Sequence, residues 1–270
     1  MKSGEVKNLG SHRLMCGDAT NQEDVSKLCE DIRAKILFTS PPYADLRDYT
    51  GCDNSPAKLA GFIETFKDYC EVMCVNLGFK RKNHEVIQYW DEYIARAKSS
   101  GLKLLSWNVW DKLNPGSVTQ QQAMFPIRHE FIFVFGANPF KLNRTIPKRG
   151  RIDMRNYGGI REPNGTVRTN SKNIQLHERN KQLETVIPCH PEKARPVWGP
   201  AQMPVKLARE YILACTNEGD YVIDPFGGSG TTLIACEQTN RKCLMMEISP
   251  EYCDVIRERY ETTFPLEKNF

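Results

Sequence analysis

Asp224-Pro225-Phe226-Gly227-Gly228-Ser229-Gly230-Thr231-Thr232 follows the apolar run Tyr221–Ile223 and precedes a helical pattern from Thr232 to Gln238. A buried strand ending in a glycine-rich turn that opens a helix is a common cradle for a nucleotide-like cofactor. It also obeys the rule that ligands sit at the carboxyl ends of parallel strands. A Walker phosphate loop requires Lys beside Ser/Thr after its last glycine, but Gly230 is followed by Thr231-Thr232, so ATP hydrolysis is disfavoured. A dinucleotide G-x-G-x-x-G fingerprint is absent as well. The next apolar run ends at Glu247, about 17 residues past Gly230, where an acidic side chain can accept hydrogen bonds from ribose hydroxyls. Asp18, after Leu14-Met15-Cys16-Gly17, suits an adenine edge by the same logic.

Working outward, continuous apolar runs at Arg13–Cys16, Lys35–Thr39, Glu71–Leu77, Leu104–Val109, Glu130–Phe135, Tyr221–Ile223 and Lys242–Glu247 predict strands. Their lack of alternation fits strands buried on both faces of a largely parallel sheet. Helical patterns fall between them, at Gln22–Leu28, Ala57–Tyr69, Tyr89–Ala97, Pro204–Ala214, Thr232–Gln238 and Pro250–Tyr260. The alternation predicts an α/β fold with helices on both faces. Lys35–Thr39 runs into Ser40-Pro41-Pro42-Tyr43, a rigid corner able to hold a flat ring against an aromatic.

From about Lys141 to Arg195 the alternation stops, and Arg, Asn, Gly and Pro dominate. This stretch holds thirteen Lys/Arg against five Asp/Glu, a balance of +8 inside a chain of net +4. A basic segment in a mildly acidic body is the footprint of a nucleic-acid surface, the other reading being a solvated loop charged for solubility. Ten scattered cysteines with no C-x-x-C pair predict free thiols and a reducing, cytoplasmic setting rather than disulfides or a zinc site. No apolar run approaches the roughly 20 residues that span a bilayer, so no membrane partner is expected. Cys189-His190 lacks partners at ligand spacing, and no metal is expected.

Taken together, these segments resemble the beta-class S-adenosylmethionine-dependent amino-methyltransferases of DNA, whose motif order is circularly permuted. The resemblance rests on Ser40-Pro41-Pro42-Tyr43, then the basic insert, then Asp224 to Thr232, in that order. Leu14-Met15-Cys16-Gly17-Asp18, His129-Glu130-Phe131 and Pro200-Ala201-Gln202-Met203-Pro204 also match, although Gly199 stands where the family usually has His. The resemblance implies a Rossmann-like fold with a mostly parallel seven-stranded sheet. Residues 1–140 and 196–270 would form the permuted catalytic domain, and 141–195 an inserted target-recognition region.

Ser40, Pro41, Pro42 and Tyr43 would then be catalytic. Asp18, Asp224, Phe226, Gly227, Gly228, Gly230, Thr231, Thr232 and Glu247 would hold S-adenosylmethionine, with S-adenosylhomocysteine as product. Phe38 and Thr39 are expected to pack the strand end. Arg144, Lys148, Arg149, Arg151, Arg155, Arg161 and Arg168 would bind DNA by neutralising phosphates, and an arginine among them could read guanine. Asn143, Asn156, Asn164 and Asn170 suit adenine readout or turns. The loop through Asp45, Arg47, Asp48 and Tyr49 is a candidate lid over the base.

In the resembled family, members with Thr-Ser-Pro-Pro-(Tyr/Phe) are most often assigned to the N4 amino group of cytosine and those with Asp-Pro-Pro-Tyr to N6 of adenine. The resemblance therefore implies cytosine N4, with N6 of adenine the alternative by the same mechanism. Pro188-Cys189 also resembles the Pro-Cys of carbon-5 cytosine methyltransferases, but Cys189 lies in the insert and is followed by His190. More distant readings are an RNA or protein-glutamine methyltransferase, or an inactive DNA-binding subunit. Expected partners are double-stranded DNA, a cognate restriction endonuclease and a second copy of the chain.

Overall fold

The computed structural model describes residues 1–42, 55–113, 125, 127–147, 160–161, 167–168, 180–192 and 203–265. In chain order, β1 (Val6–Leu9) and β2 (His12–Cys16) precede α1 (Gln22–Cys29) and β3 (Ala34–Thr39). Next come α2 (Pro56–Leu59), α3 (Phe62–Phe66), β4 (Cys70–Leu77), the short pair β5 (Arg81–Lys82) and β6 (Glu85–Val86), α4 (Trp90–Ser99), β7 (Lys103–Asp111) and β8 (His129–Gly136). The basic stretch contributes β9 (Arg144–Pro147), β10 (Ile160–Arg161), β11 (Val167–Arg168), β12 (Asn180–Gln182) and β13 (Val186–Pro188). The last part holds α5 (Val205–Cys215), β14 (Tyr221–Asp224), α6 (Thr231–Glu237), β15 (Lys242–Glu247) and α7 (Pro250–Thr263).

Nine strands form one sheet in the order β1-β2-β15-β14-β3-β4-β8-β7-β13. The run from β2 to β4 is parallel throughout, β8 lies antiparallel between β4 and β7, and β7 regains the common direction. These seven are the expected strands. Two more extend the edges: β1 as an antiparallel hairpin partner of β2, and β13 parallel to β7. Neither carries a long apolar run, since Val-Lys-Asn-Leu is half polar and Val-Ile-Pro has three residues. Short edge strands with a proline keep a sheet from pairing further.

Successive strand residues face opposite sides, so the continuous runs fill two cores. Ile36 and Phe38 of β3 join Val222, Leu207, Tyr211 and Leu233 on the side of α5 and α6. Leu37 joins Met73, Ile223, Leu244, Phe62 and Tyr93 on the side of α3 and α4. Each fully buried side chain of this size contributes about 1.5–3 kcal/mol. Caps set two helix starts: the Asn21 side chain accepts from the Glu23 amide at 2.8 Å, and Ser249 Oγ from the Tyr252 amide at 3.3 Å, just before Pro250.

One helix expected over Ala57–Tyr69 is instead two, α2 and α3. At Gly61 the ladder tightens to an amide bond onto the Lys58 carbonyl at 2.9 Å, and a Cβ there would meet that same oxygen. The expected insert is also tied to the rest of the fold at both described ends, to helix α5 at one and to the sheet at the other. Asn143 donates from its backbone to the Ala214 carbonyl at 2.7 Å, and β13 pairs with β7 so that Ile187 and Cys189 enter the core. Among the described residues no helix is long and apolar enough to cross a membrane, and no three His, Cys, Asp or Glu gather as a metal site.

Candidate active site

Parallel strands bring their carboxyl ends to one edge, and along it stand Asp18 after β2, Glu247 ending β15, Asp224 ending β14, and Ser40 after β3. From β14 the chain proceeds through α6 to β15 on one side, whereas from β3 it proceeds to β4 on the other. Between β14 and β3 the strand order therefore reverses, which opens a crevice at this edge. Ser40-Pro41-Pro42 and the glycine loop after Asp224 border it.

Asp224 is buried and accepts from Thr39 Oγ1 at 2.6 Å and from the Phe226 amide at 3.1 Å. Burial pushes its carboxyl up to about 7, against those hydrogen bonds and Thr232, which favour the ionised form, while the Glu247 charge adds to the rise. Thr39 thus belongs to the site as well as to the strand end, while Phe38 does pack, stacking on Tyr211 with centroids 5.0 Å apart.

The glycines have specific reasons. A Cβ at Gly227 would lie 2.8 Å from Met245 Cγ, so the loop lies directly on β15. Gly230 begins α6 with φ of +81° beside Ile256, a conformation that side chains resist. Glu247 Oε2 accepts from the Gly228 amide at 2.8 Å and Oε1 from the Ser249 amide at 3.0 Å, so it ties the glycine loop to the start of α7. Burial raises its pKa, with the amides of Ser249, Gly228 and Ile248 opposing. Each carboxylate oxygen has further acceptor capacity for a ribose hydroxyl. Asp18 Oδ1 accepts from both the amide and the hydroxyl of Thr20 at 2.8 Å. Phe226 is half-buried, edge-on to Phe62 at 5.3 Å.

Thr231 and Thr232 are buried, and Thr231 Oγ1 donates to the Met203 carbonyl at 3.2 Å. Arg259 of α7 was not foreseen. Its buried guanidinium reaches the Ser229 carbonyl at 2.8 Å, Ser229 Oγ at 3.1 Å and Thr231 Oγ1 at 3.3 Å, clamping the loop from below. In sequence it is one of several charges on a helix and carries no local signal. Asn76 and Glu130 were also given no role, although a polar residue inside each apolar run was a visible signal. Asn76 Nδ2 donates to Glu130 Oε2 at 2.6 Å and lies 3.4 Å from Ser40 Oγ.

Arg144 is not brought to this edge. It lies on β9 beside the C-terminal end of α5, which leads into the amino end of β14. Tyr43, Asp45, Arg47, Asp48, Tyr49, Lys148, Arg149, Arg151, Arg155, Asn156, Asn164, Asn170 and Gly199 through Gln202 lie outside the described residues, as do the side chains of Arg161 and Arg168. Cys189 sits in the core with its thiol pKa raised by burial, the reverse of what a nucleophilic thiolate needs.

The open edge, the two carboxylates and the glycine loop fit S-adenosylmethionine: acceptors at neighbouring strand ends, and bare backbone between them. The arrangement defines a Rossmann-like methyltransferase. The model of the DNA methylase family, the N6/N4 methyltransferases, matches residues 34–258, and the chain belongs to that family of S-adenosylmethionine-dependent enzymes. Among curated relatives it is 28% identical to the orphan methyltransferase M.BamHII of Bacillus amyloliquefaciens, over 88% of this chain and 92% of that one. It is 27% identical to the type II methyltransferase M.HpaI of Haemophilus parainfluenzae, over 93% and 75% of the two chains. Among solved structures, the cytosine-N4-specific PvuII DNA methyltransferase superposes with a TM-score of 0.64 at 17% identity, covering 97% of this chain and 89% of that one.

Proposed function

We propose that the chain methylates N4 of cytosine in duplex DNA at the Ser40-Pro41-Pro42-Tyr43 corner, with Asp224, the glycine loop and Glu247 holding the cofactor. The observation that carries this is the juxtaposition of Ser40 and Asp224 on neighbouring strand ends where strand order reverses, joined through the Thr39–Asp224 hydrogen bond. Bound S-adenosylmethionine supplies an electrophilic methyl group on its sulfonium.

An exocyclic amino nitrogen is a poor nucleophile because its lone pair is delocalised into the ring. Ser40 Oγ and the Pro41 carbonyl accept its two N–H groups, pull it toward tetrahedral geometry and localise the lone pair. With the cofactor bound, the nitrogen would take up the methyl group as the neutral thioether leaves, and its surplus proton would pass along the hydrogen bond to Ser40 Oγ and on to solvent. Orientation and preplaced dipoles supply most of the acceleration. The base reaches Ser40 only when flipped out, at a few kcal/mol, and stacking on Tyr43 returns roughly 1–3 kcal/mol. The basic stretch of 141–195 engages the phosphates. Reduced thiols at nine described cysteines suit the cytoplasm, and a cognate endonuclease and a second copy of the chain are its proposed protein partners.

The test is methyl transfer from labelled S-adenosylmethionine to mixed-sequence duplex DNA, with nucleosides resolved by mass spectrometry. N4-methylcytosine is the expected product. N6-methyladenine would keep the mechanism and overturn the base; labelled RNA or protein in place of DNA would overturn the substrate.

A further inference from the structure

Behind Ser40 stands a polar chain built into the sheet rather than into a loop. Asn76 lies near the end of β4, fully buried, and Glu130 near the start of β8, 6% exposed. Because β8 runs antiparallel, its beginning lies at the same edge as the carboxyl ends of β4 and β7. Glu130 Oε1 accepts from Lys112 Nζ at 2.6 Å, just past β7, and Oε2 accepts from Asn76 Nδ2 at 2.6 Å. A buried carboxylate is costly unless paired and hydrogen-bonded, and both partners here come from neighbouring strands.

The chemistry of these groups fixes the direction of the chain. An ionised carboxylate only accepts, so the Asn76 amide must turn its nitrogen toward Glu130. The remaining N–H of that nitrogen is then the group facing Ser40 Oγ, 3.4 Å away. Such contacts are often long without substrate and tighten in the reacting complex. Lys112 also lies over the Trp110 ring, 5.0 Å from its centroid, which holds the far end of the chain in place.

We propose that Asn76 and Glu130 are positioning residues for the catalytic corner: Glu130, anchored by Lys112, orients the Asn76 amide so that it donates to Ser40 Oγ and holds that oxygen in the rotamer that receives the target amino group. This rests on the role given to Ser40 above. The hydrogen bonds of Asp224 and Glu247, the protein carboxylates proposed to hold the cofactor, come from Thr39, Phe226, Gly228 and Ser249 and not from Asn76 or Glu130. Loss of either residue should therefore act on turnover and not on cofactor affinity.

The experiment is a pair of double-mutant cycles on the full chain, Asn76→Ala with Ser40→Ala and the near-isosteric Glu130→Gln with Ser40→Ala. Single-turnover methylation is read beside S-adenosylhomocysteine affinity by calorimetry. Each single substitution at Asn76 or Glu130 is expected to slow transfer about 10–100-fold, as small misplacements of reacting groups do. Cofactor affinity should stay within about twofold, and each double variant should be within about twofold of Ser40→Ala alone, the mark of residues acting through one another. Fully multiplicative losses, or cofactor affinity falling in step with rate, would overturn the positioning role. Full activity of Ser40→Ala would overturn it together with the reading of Ser40, while an active wild type with an impaired Ser40→Ala and multiplicative cycles would overturn this inference alone.

Discussion

At Asp224, burial and hydrogen bonding oppose each other, and burial prevails, raising the carboxyl to about 7. An unfolded aspartate titrates near about 3.9, so the folded chain holds a proton across the interval that the unfolded chain does not. The stability this contributes is complete below about pH 4 and is lost as pH rises through about 7, by up to roughly 4 kcal/mol. Asp224→Asn should therefore flatten the dependence of unfolding free energy on pH across that window, as measured by urea titration at several values; an unchanged slope would refute the assignment. Cofactor binding should show the opposite trend. The ionised carboxylate is the better hydrogen-bond acceptor for the cofactor it is proposed to hold, so wild-type affinity should improve between about pH 6 and 8, while Asp224→Asn stays weak and flat. The residue itself was legible in the sequence as the end of an apolar run before Pro225. Its raised pKa was not, because the burial that causes it comes from segments packed together by the fold, and the opposing Thr39 hydrogen bond comes from 185 positions away along the chain.

Between elements, the clamp of α7 on the glycine loop is the clearest dependence. Arg259 places one nitrogen against Ser229 and Thr231, at the turn where Gly230 starts α6. Arg259→Met would leave those buried acceptors without their charged donor, an expected loss of about 1.5–3 kcal/mol. Cofactor affinity should fall with it because the loop loosens. Arg259→Lys should recover little, since a single ammonium cannot reproduce the guanidinium's geometry. Urea unfolding with calorimetric binding checks both; unchanged affinity in a destabilised variant would show that the clamp serves the fold alone. Apolar periodicity did locate the seven central strands and most helices. It passed over the break at Gly61 because Ala57–Tyr69 keeps a helical pattern across it, and over β13 because three residues carry no period.

For the whole molecule, the charge division sets the expectation for DNA binding. Each phosphate neutralised steepens the dependence of log affinity on log salt by about 0.9. Replacing Arg149 and Arg151 together by Ala should make that slope shallower by about 2, measured by anisotropy on duplex DNA between about 50 and 200 mM salt. An unchanged slope would move the phosphate contacts elsewhere. The sequence alone determined the α/β class and the family resemblance, and it marked the glycine loop after Asp224 and the proline corner after Ser40 as turns, because each is written in consecutive residues: an apolar run, then glycines or prolines that only certain turns accept. Tertiary structure alone decided that β8 inserts antiparallel beside β4, which sets Glu130 against Asn76 and Lys112. It also decided that Thr39 meets Asp224, that Arg259 lies under the loop, and that Arg144 stands at the other end of α5. Those are contacts between distant segments, and only the packing of strands side by side, each bringing its own end to a common edge, puts them within hydrogen-bond reach or keeps them apart.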